Sequence, residues 1–406
     1  MRILHTSDWH LGQHFMGKTR QAEHQQFMSW LIEQITLQSV DVVIIAGDVF
    51  DTGAPPSYAR ELYSSFIVAM HDTGAILVVL GGNHDSVATL GESKALLARL
   101  GTRVIPAVSE DAADQVLVLS QRDGQPGAVL CAIPFIRPRD VMHSVAGQSA
   151  QDKQLSLQEA IHQHYQACYA AAVAKRDELG GQLPIIATGH LTTVGASASE
   201  SVREIYVGAL EAFPTNAFPP ADYIALGHIH RPQKVGGLEH IRYSGSPIPL
   251  SFDEATQTKE VLLVDLNANG LQSVTPLPVP CFQAMATARG TLADLTSALA
   301  KAAVGGTADT PAWVEVVITA DDYLSDLQSR IEQIIVGLPV EILRIRRERA
   351  NAAAHLQGSA SETLDELSPD EVFGQRLAAE MLEELLQTQL QQRYRQIVSA
   401  LQEDQP

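Results

Sequence analysis

Long apolar runs are missing from this 406-residue chain. None approaches the roughly 18 residues that a membrane-spanning helix needs, which excludes a helical membrane protein. Cysteine is scarce: Cys131, Cys168 and Cys281 stand far apart, with no CxxC pair. That excludes a disulfide framework or a zinc–thiolate site and reads as reduced, mostly buried thiols. The opening residues Met1-Arg2-Ile3-Leu4-His5 carry no apolar leader, so secretion is not expected and a cytoplasmic location is. Basic charge is short: 28 Lys and Arg stand against 47 Asp and Glu, a net charge of −19. Nucleic-acid binding rests on Lys and Arg neutralising phosphates, so the bulk electrostatics oppose it. A nucleic-acid substrate would need metal ions, a local basic strip or another protein to compensate. A Gly-rich loop ending in Lys-Ser/Thr is also lacking, so this chain is not expected to bind nucleotide. What remains is a globular composition, 45% hydrophobic and 18% charged, with length for two or three domains of about 150 residues.

Strand and helix signals alternate through the first 270 or so residues. Arg2–Thr6, Val42–Ala46 and Ile76–Leu80 read as strands, the last two as buried ones by length and β-branching. Phe27, Trp30, Leu31 and Ile35 recur at helical spacing, and a helix over Tyr58–Met70 follows Pro55-Pro56. Val116–Ile133 is strand-like, Leu155–Leu179 helical, and Ile185–Thr188 and Tyr223–Leu226 are strands again. This order predicts an α/β core of two packed sheets flanked by helices, spanning 1–275. Pro276, Pro278 and Pro280 mark a boundary. Beyond it, strands near Phe282–Thr287, Trp313–Thr319 and Val340–Ile345 alternate with helices Thr291–Ala302 and Leu324–Val336, a small α+β capping domain over 276–348. Arg344, Arg346 and Arg347 form a local basic run, which reads either as a solvated strand end or as a phosphate contact. Residues 349–367 read as a linker. Ser368-Pro369-Asp370-Glu371 then starts a helical tail, 368–406, whose stripe includes Phe373, Leu377, Met381 and Leu385. Set off by a linker, that stripe is expected to dock on a partner helix.

Every expected core strand runs into residues of metal-ligand type. The first leads to Asp8-Trp9-His10, the second to Gly47-Asp48 and the third to Gly82-Asn83-His84-Asp85. Later strands lead to Gly189-His190 and Gly227-His228-Ile229-His230. Any one of these alone is an ordinary turn or a satisfied core histidine. All of them in order at strand ends, where open α/β sheets bind ligands, point to a dinuclear metal site. Carboxylate, amide and imidazole donors without thiolate suit manganese, iron or zinc. Two ions need a bridging ligand, and Asp48 is the natural choice. Two metals roughly 3.5–4 Å apart suit hydrolysis of a phosphoester.

Together these motifs resemble the calcineurin-like metallophosphoesterase family. Thr6-Ser7-Asp8-Trp9-His10-Leu11-Gly12, Gly47-Asp48-Val49-Phe50-Asp51 and Tyr243-Ser244-Gly245-Ser246-Pro247 resemble more specifically its double-strand-break-processing nucleases of the SbcD type. The resemblance implies a two-sheet sandwich that holds two Mn2+ ions, with Mg2+, Fe2+ or Zn2+ as alternatives. One ion would be held by Asp8, His10, Asp48 and His230, the other by Asp48, Asn83, His190 and His228. His84 would lie beside the scissile phosphate, with Asp85 orienting it through its other ring nitrogen. Asp51 departs from archaeal and eukaryotic relatives, which carry histidine there. The resemblance further implies DNA as substrate, cut as duplex ends and hairpins, and an SbcC-like ABC ATPase with a coiled coil docked by the C-terminal helices. It also implies a homodimer within a heterotetramer. A small-molecule phosphodiesterase shares the ligands but has no use for the cap, the basic run or the tail. A non-catalytic scaffold would have lost His84 or a ligand, and none is lost.

Overall fold

The computed structural model describes residues 1–142, 150–202, 212–319 and 327–348, together with 389–390 and 393–394. The expected linker and nearly all of the expected tail helix therefore lie outside the described residues. The chain divides into two compact units. One is Met1–Thr287 with Ala300–Glu315 and Gly337–Arg344; the other is Ala288–Leu299, Val316–Val336 and Ile345–Pro406.

Apolar β-branched runs become the strands. β1 (Arg2–Thr6) precedes a short ribbon of β2 (His14–Phe15) and β3 (Lys18–Thr19), then β4 (Val42–Ile45), β5 (Ile76–Leu80) and β6 (Thr102–Ile105). β7 (Val116–Ser120) and β8 (Pro126–Cys131) form a hairpin, followed by β9 (Ile185–His190) and β10 (Tyr223–Gly227). β11 (Gln233–Val235), β12 (Leu238–Tyr243), β13 (Glu260–Asn267) and β14 (Gly270–Pro278) complete two six-stranded sheets. Their orders are β14-β13-β1-β4-β5-β6 and β11-β12-β10-β9-β8-β7. β1, β4, β5 and β6 are mutually parallel, as are β8, β9, β10 and β12. Parallel pairing brings the carboxyl ends of neighbouring strands to one edge, which is why the motifs after β1, β4 and β5 meet.

Side-chain alternation builds four layers. Val43, Ile45, Leu77 and Val79 face the helices Gln21–Leu37 and Ser57–Thr73, packing with Phe27, Leu31, Phe66 and Met70. Their neighbours Val42, Ile44 and Val78 point the other way, onto Ile186, Tyr223 and Ala225 of the second sheet. The far face of that sheet carries Val129, Cys131, Ile185 and Ala187 against Leu157, Ile161 and Tyr165 of the helix Ala150–Glu178. Burial on both faces explains why these strands read as continuous apolar runs.

In the capping region, β15 (Met285–Gly290), β16 (Ala312–Ile318) and β17 (Val340–Arg347) form a three-stranded sheet in that order. The helices here are Leu292–Ala302 and Leu327–Ile334. Cys131 and Cys168 are buried as expected; Cys281 is exposed, because it follows the last strand of the first sheet. No helix among the described residues is long and apolar enough to cross a membrane.

Trp9 anchors the turn after β1. It is fully buried, meets Phe66 edge-on at 4.9 Å and Phe27 at 5.3 Å, and donates from Nε1 to Thr6 Oγ1 at 3.0 Å. Trp9→Ala is expected to lower the unfolding free energy by about 3–5 kcal/mol, read from a urea titration. A loss below about 1 kcal/mol would mean that the turn is anchored elsewhere.

Candidate metal centre

The turn after β1 lies alongside the turn after β4. Asp8 N donates to the Gly47 carbonyl at 3.0 Å and His10 N to the Asp48 carbonyl at 3.1 Å, continuing the parallel ladder past the strands. The ladder survives only with unusual backbone angles. Asp8, His10, Asp48 and His228 all have positive φ, at 55°, 49°, 50° and 94°. Non-glycine residues in this region cost on the order of 1–3 kcal/mol each and cluster at functional sites.

Glycine makes the crowding sterically allowable. A Cβ on Gly82 would collide with the Asp48 carboxylate and backbone nitrogen, and one on Gly227 with the Ala46 carbonyl.

Asp48 sits at the middle, essentially without exposure. One carboxylate oxygen accepts from His84 N at 2.9 Å; the other lies 3.2 Å from His190 Nε2 and 3.7 Å from His10 Nε2. Asn83 Oδ1 is 2.9 Å from His190 Nε2 and 3.2 Å from His228 Nδ1. Asp8 accepts from His228 N at 2.9 Å and Ser7 Oγ at 2.6 Å. Ligand atoms of Asp8, His10 and His230 lie within 4.8 Å of one another, as do those of Asp48, His190 and His228.

The donor set fits a cation. His190 Nδ1 lies 2.9 Å from the Ala46 carbonyl, so that nitrogen carries the proton of the neutral ring. Its Nε2 then faces two acceptor oxygens, which only a second proton or a metal ion on that nitrogen satisfies. His10 Nε2 and His228 Nε2 are buried with no hydrogen-bond partner. Burial opposes a charge on His190, yet the Asp48 carboxylate lifts its pKa to about 9. Burial likewise opposes ionisation of Asp48, but His190 and its neighbours hold its carboxyl well below the usual range. The pocket attracts positive charge, and divalent ions bound by oxygen and imidazole fit it.

The expected ligands therefore converge, but Asp85 does not act as expected. Its carboxylate accepts from the Val49, Phe50 and Gly82 amides at 3.1, 2.9 and 2.9 Å, pinning the turn after β4 to the turn after β5. The His84 ring is held by the Asp51 carbonyl instead, 2.7 Å from Nδ1. Burial and the Asp48 charge push the Asp85 pKa to about 6 against those amides. Asp85 is a brace for the backbone of the site.

Several outer groups escaped the sequence reading. Asp51 Oδ1 lies 3.1 Å from His10 Nδ1 and so orients that ring. His24 Nε2 meets the Trp9 carbonyl at 2.7 Å, and burial lowers its pKa to about 3, so it holds the turn as a neutral ring. Ser201 and Glu254 border His230 Nδ1. The Tyr243-to-Pro247 motif was a signal for part of this: Ser244 Oγ meets Ser7 Oγ at 2.9 Å, and Ser246 Oγ lies 3.3 Å from Glu254.

The Arg344 guanidinium is paired with the buried Glu315 carboxylate and lies 5.9 Å from the Phe252 ring centroid, while its side chain stays partly exposed. Arg346 and Arg347 are exposed at the end of β17.

Fold and site define a metal-dependent phosphodiester hydrolase of the calcineurin-like class. The family model "Calcineurin-like phosphoesterase" matches residues 1–232, and "Type 5 capsule protein repressor C-terminal domain" (SbcD_C) matches 281–381. The D component of nuclease SbcCD from Escherichia coli K12 is 54% identical over 96% of each chain. The Rhodobacter capsulatus protein of that name is 33% identical over 92% of this chain and 93% of its own. The chain belongs to the SbcD family, the D components of SbcCD nucleases, and a divalent metal is part of its equipment. A solved β-glucosidase from Exiguobacterium marinum aligns over 85% of this chain and 88% of its own at 11% identity, with a TM-score of 0.22, too slight to bear on the fold.

Gly82→Ala is expected to weaken divalent-metal binding by about tenfold or more while leaving the far-UV circular dichroism intact, since the added methyl displaces Asp48. Unchanged affinity in a calorimetric titration would show that Asp48 does not need the space.

Proposed function

We propose that the chain is a manganese-dependent DNA nuclease, a double-strand exonuclease and single-strand or hairpin endonuclease acting in repair, recombination and replication. The observation that carries the metal reading is the set of lone pairs gathered on Asp48, with His10 Nε2 and His228 Nε2 buried and unpartnered. Asp8, His10, Asp48 and His230 would hold one ion; Asp48, Asn83, His190 and His228 would hold the other. When bound, such a pair polarises the phosphodiester and supplies a nucleophile near neutral pH.

The chain's own residues do the rest. Asp48 lies between both ligand groups and fixes their spacing. His84 offers a ring nitrogen within 4.8 Å of the ligand atoms of His10 and Asp48. With Nδ1 held on the Asp51 carbonyl, the His84 ring would stabilise charge on the phosphate or hand a proton to the leaving oxygen. Exclusion of water from these buried groups strengthens each electrostatic contact.

The net charge of −19 argues that DNA affinity comes from elsewhere. An SbcC-like ABC ATPase, engaged through the expected helices of 368–406, would supply binding surface and ATP-driven remodelling. Arg346 and Arg347 would add local contacts, and the chain would act in the cytoplasm as a homodimer within a heterotetramer. In this reading 1–275 is the nuclease domain, 276–348 its cap and 349–367 the linker.

Labelled hairpin and linear duplex DNA, with and without the ATPase, test this. Cleavage should require Mn2+, stop with chelator and gain ATP dependence with the partner. His84→Gln should lower the rate by about 10²–10⁴ while manganese affinity holds. Intact DNA in every mixture beside rapid turnover of a small phosphodiester would leave the metal centre standing and remove the DNA assignment.

A further inference from the structure

A buried chain of hydrogen bonds approaches His230 from outside the metal centre and ends on a carboxylate. His230 Nδ1 lies 2.6 Å from Ser201 Oγ and 3.3 Å from Glu254 Oε1. Ser201 Oγ makes a short hydrogen bond to that oxygen, and Ser199 Oγ donates to it at 2.6 Å. The other carboxylate oxygen accepts from Lys259 Nζ at 2.6 Å and Leu250 N at 3.0 Å. Lys259 Nζ also donates to the His230 carbonyl at 3.0 Å. Glu254 is 0% and Lys259 5% exposed.

Proton directions follow from the far end. A carboxylate paired with an ammonium only accepts, so the single Ser201 proton goes to Glu254. The Ser201 oxygen then accepts from His230 Nδ1–H, which leaves the ring lone pair on Nε2. Two other candidate ligands show the same device: His10 Nδ1 has Asp51 at 3.1 Å and His190 Nδ1 has the Ala46 carbonyl at 2.9 Å. Packing alone does not account for the pair, because apolar residues of similar volume serve stability as well as a buried ion pair does. This one is applied to a single residue twice, Glu254 to the ring through Ser201 and Lys259 to the backbone.

We propose that Ser201 and Glu254, backed by Lys259, are positioning residues that lock His230 in the Nδ1–H tautomer with Nε2 presented to a divalent cation. The inference rests on His230 being a ligand. It also makes the segment around Ser199–Ser201, which follows β9 in the chain, a working part of the centre.

The test uses the full chain, manganese calorimetry and ¹⁵N-imidazole NMR. Ser201→Ala leaves the Glu254–Lys259 pair intact; Glu254→Gln with Lys259→Met removes both charges together and avoids an orphaned one. Wild type should bind two Mn2+ and show His230 as one tautomer. Ser201→Ala should weaken one of the two sites about tenfold, and the double variant up to about 100-fold, with His230 now a mixture of tautomers. Ser201→Thr should restore both readouts. Unchanged two-site binding and an unchanged His230 signal in folded Ser201→Ala would overturn the proposal, and this variant decides alone if the double one does not fold. Wild type that binds no manganese would instead bring down the metal centre itself, and the positioning role with it.

Discussion

One buried carboxylate, and the need to set positive charge against it, is the constraint on which this molecule depends. Asp48 Oδ2 faces His190 Nε2 and His10 Nε2, and Asn83 Oδ1 faces His190 Nε2 and His228 Nδ1. No set of neutral rings satisfies all of these at once, so the pocket exists for positive charge. Around it the backbone is forced into four left-handed non-glycine conformations and tolerates no Cβ at Gly82 or Gly227. The two sheets, the aromatic seat of Trp9 and the Asp85 brace hold that arrangement in place against its own strain.

Around the candidate ligands stands an outer set of groups that turns three of the four imidazoles. Asp51, the Ala46 carbonyl and the Ser201–Glu254 pair occupy the outer positions on His10, His190 and His230. Outer partners set which imidazole nitrogen carries the proton, and so which one can bind metal. A histidine at position 51 would present a ring where this chain presents a carboxylate to His10.

Much of the fold and of the candidate ligand set could be read from the chain. β4 and β5 announced themselves as unbroken β-branched runs because both faces are covered, and Asp48, Asn83, His190 and His228 each follow a glycine at a strand end. The outer set could not be read. Ser201 and Glu254 stand 53 positions apart, and neither lies in a periodic pattern, so only tertiary geometry brings them to His230. Asp85 misled for a related reason. Adjacency to His84 suggested a side-chain pair, whereas neighbouring residues in a turn face different ways and three backbone amides had the stronger claim on a buried carboxylate. The Arg344–Glu315 pair could not be read either, because a cluster of like charges says nothing about a buried acid across the sheet.

The ligands are also divided by chemistry along the chain. The first sheet contributes every oxygen donor, Asp8, Asp48 and Asn83, with His10; the second contributes only imidazoles, His190, His228 and His230. The first sheet nevertheless closes last, because β13, which pairs with β1, and β14 beyond it follow every strand of the second sheet in the chain. Neither the oxygen half nor the imidazole half of the centre is therefore finished before the other, and a chain cut short before Glu260 would carry every candidate ligand without the strand that flanks the first of them.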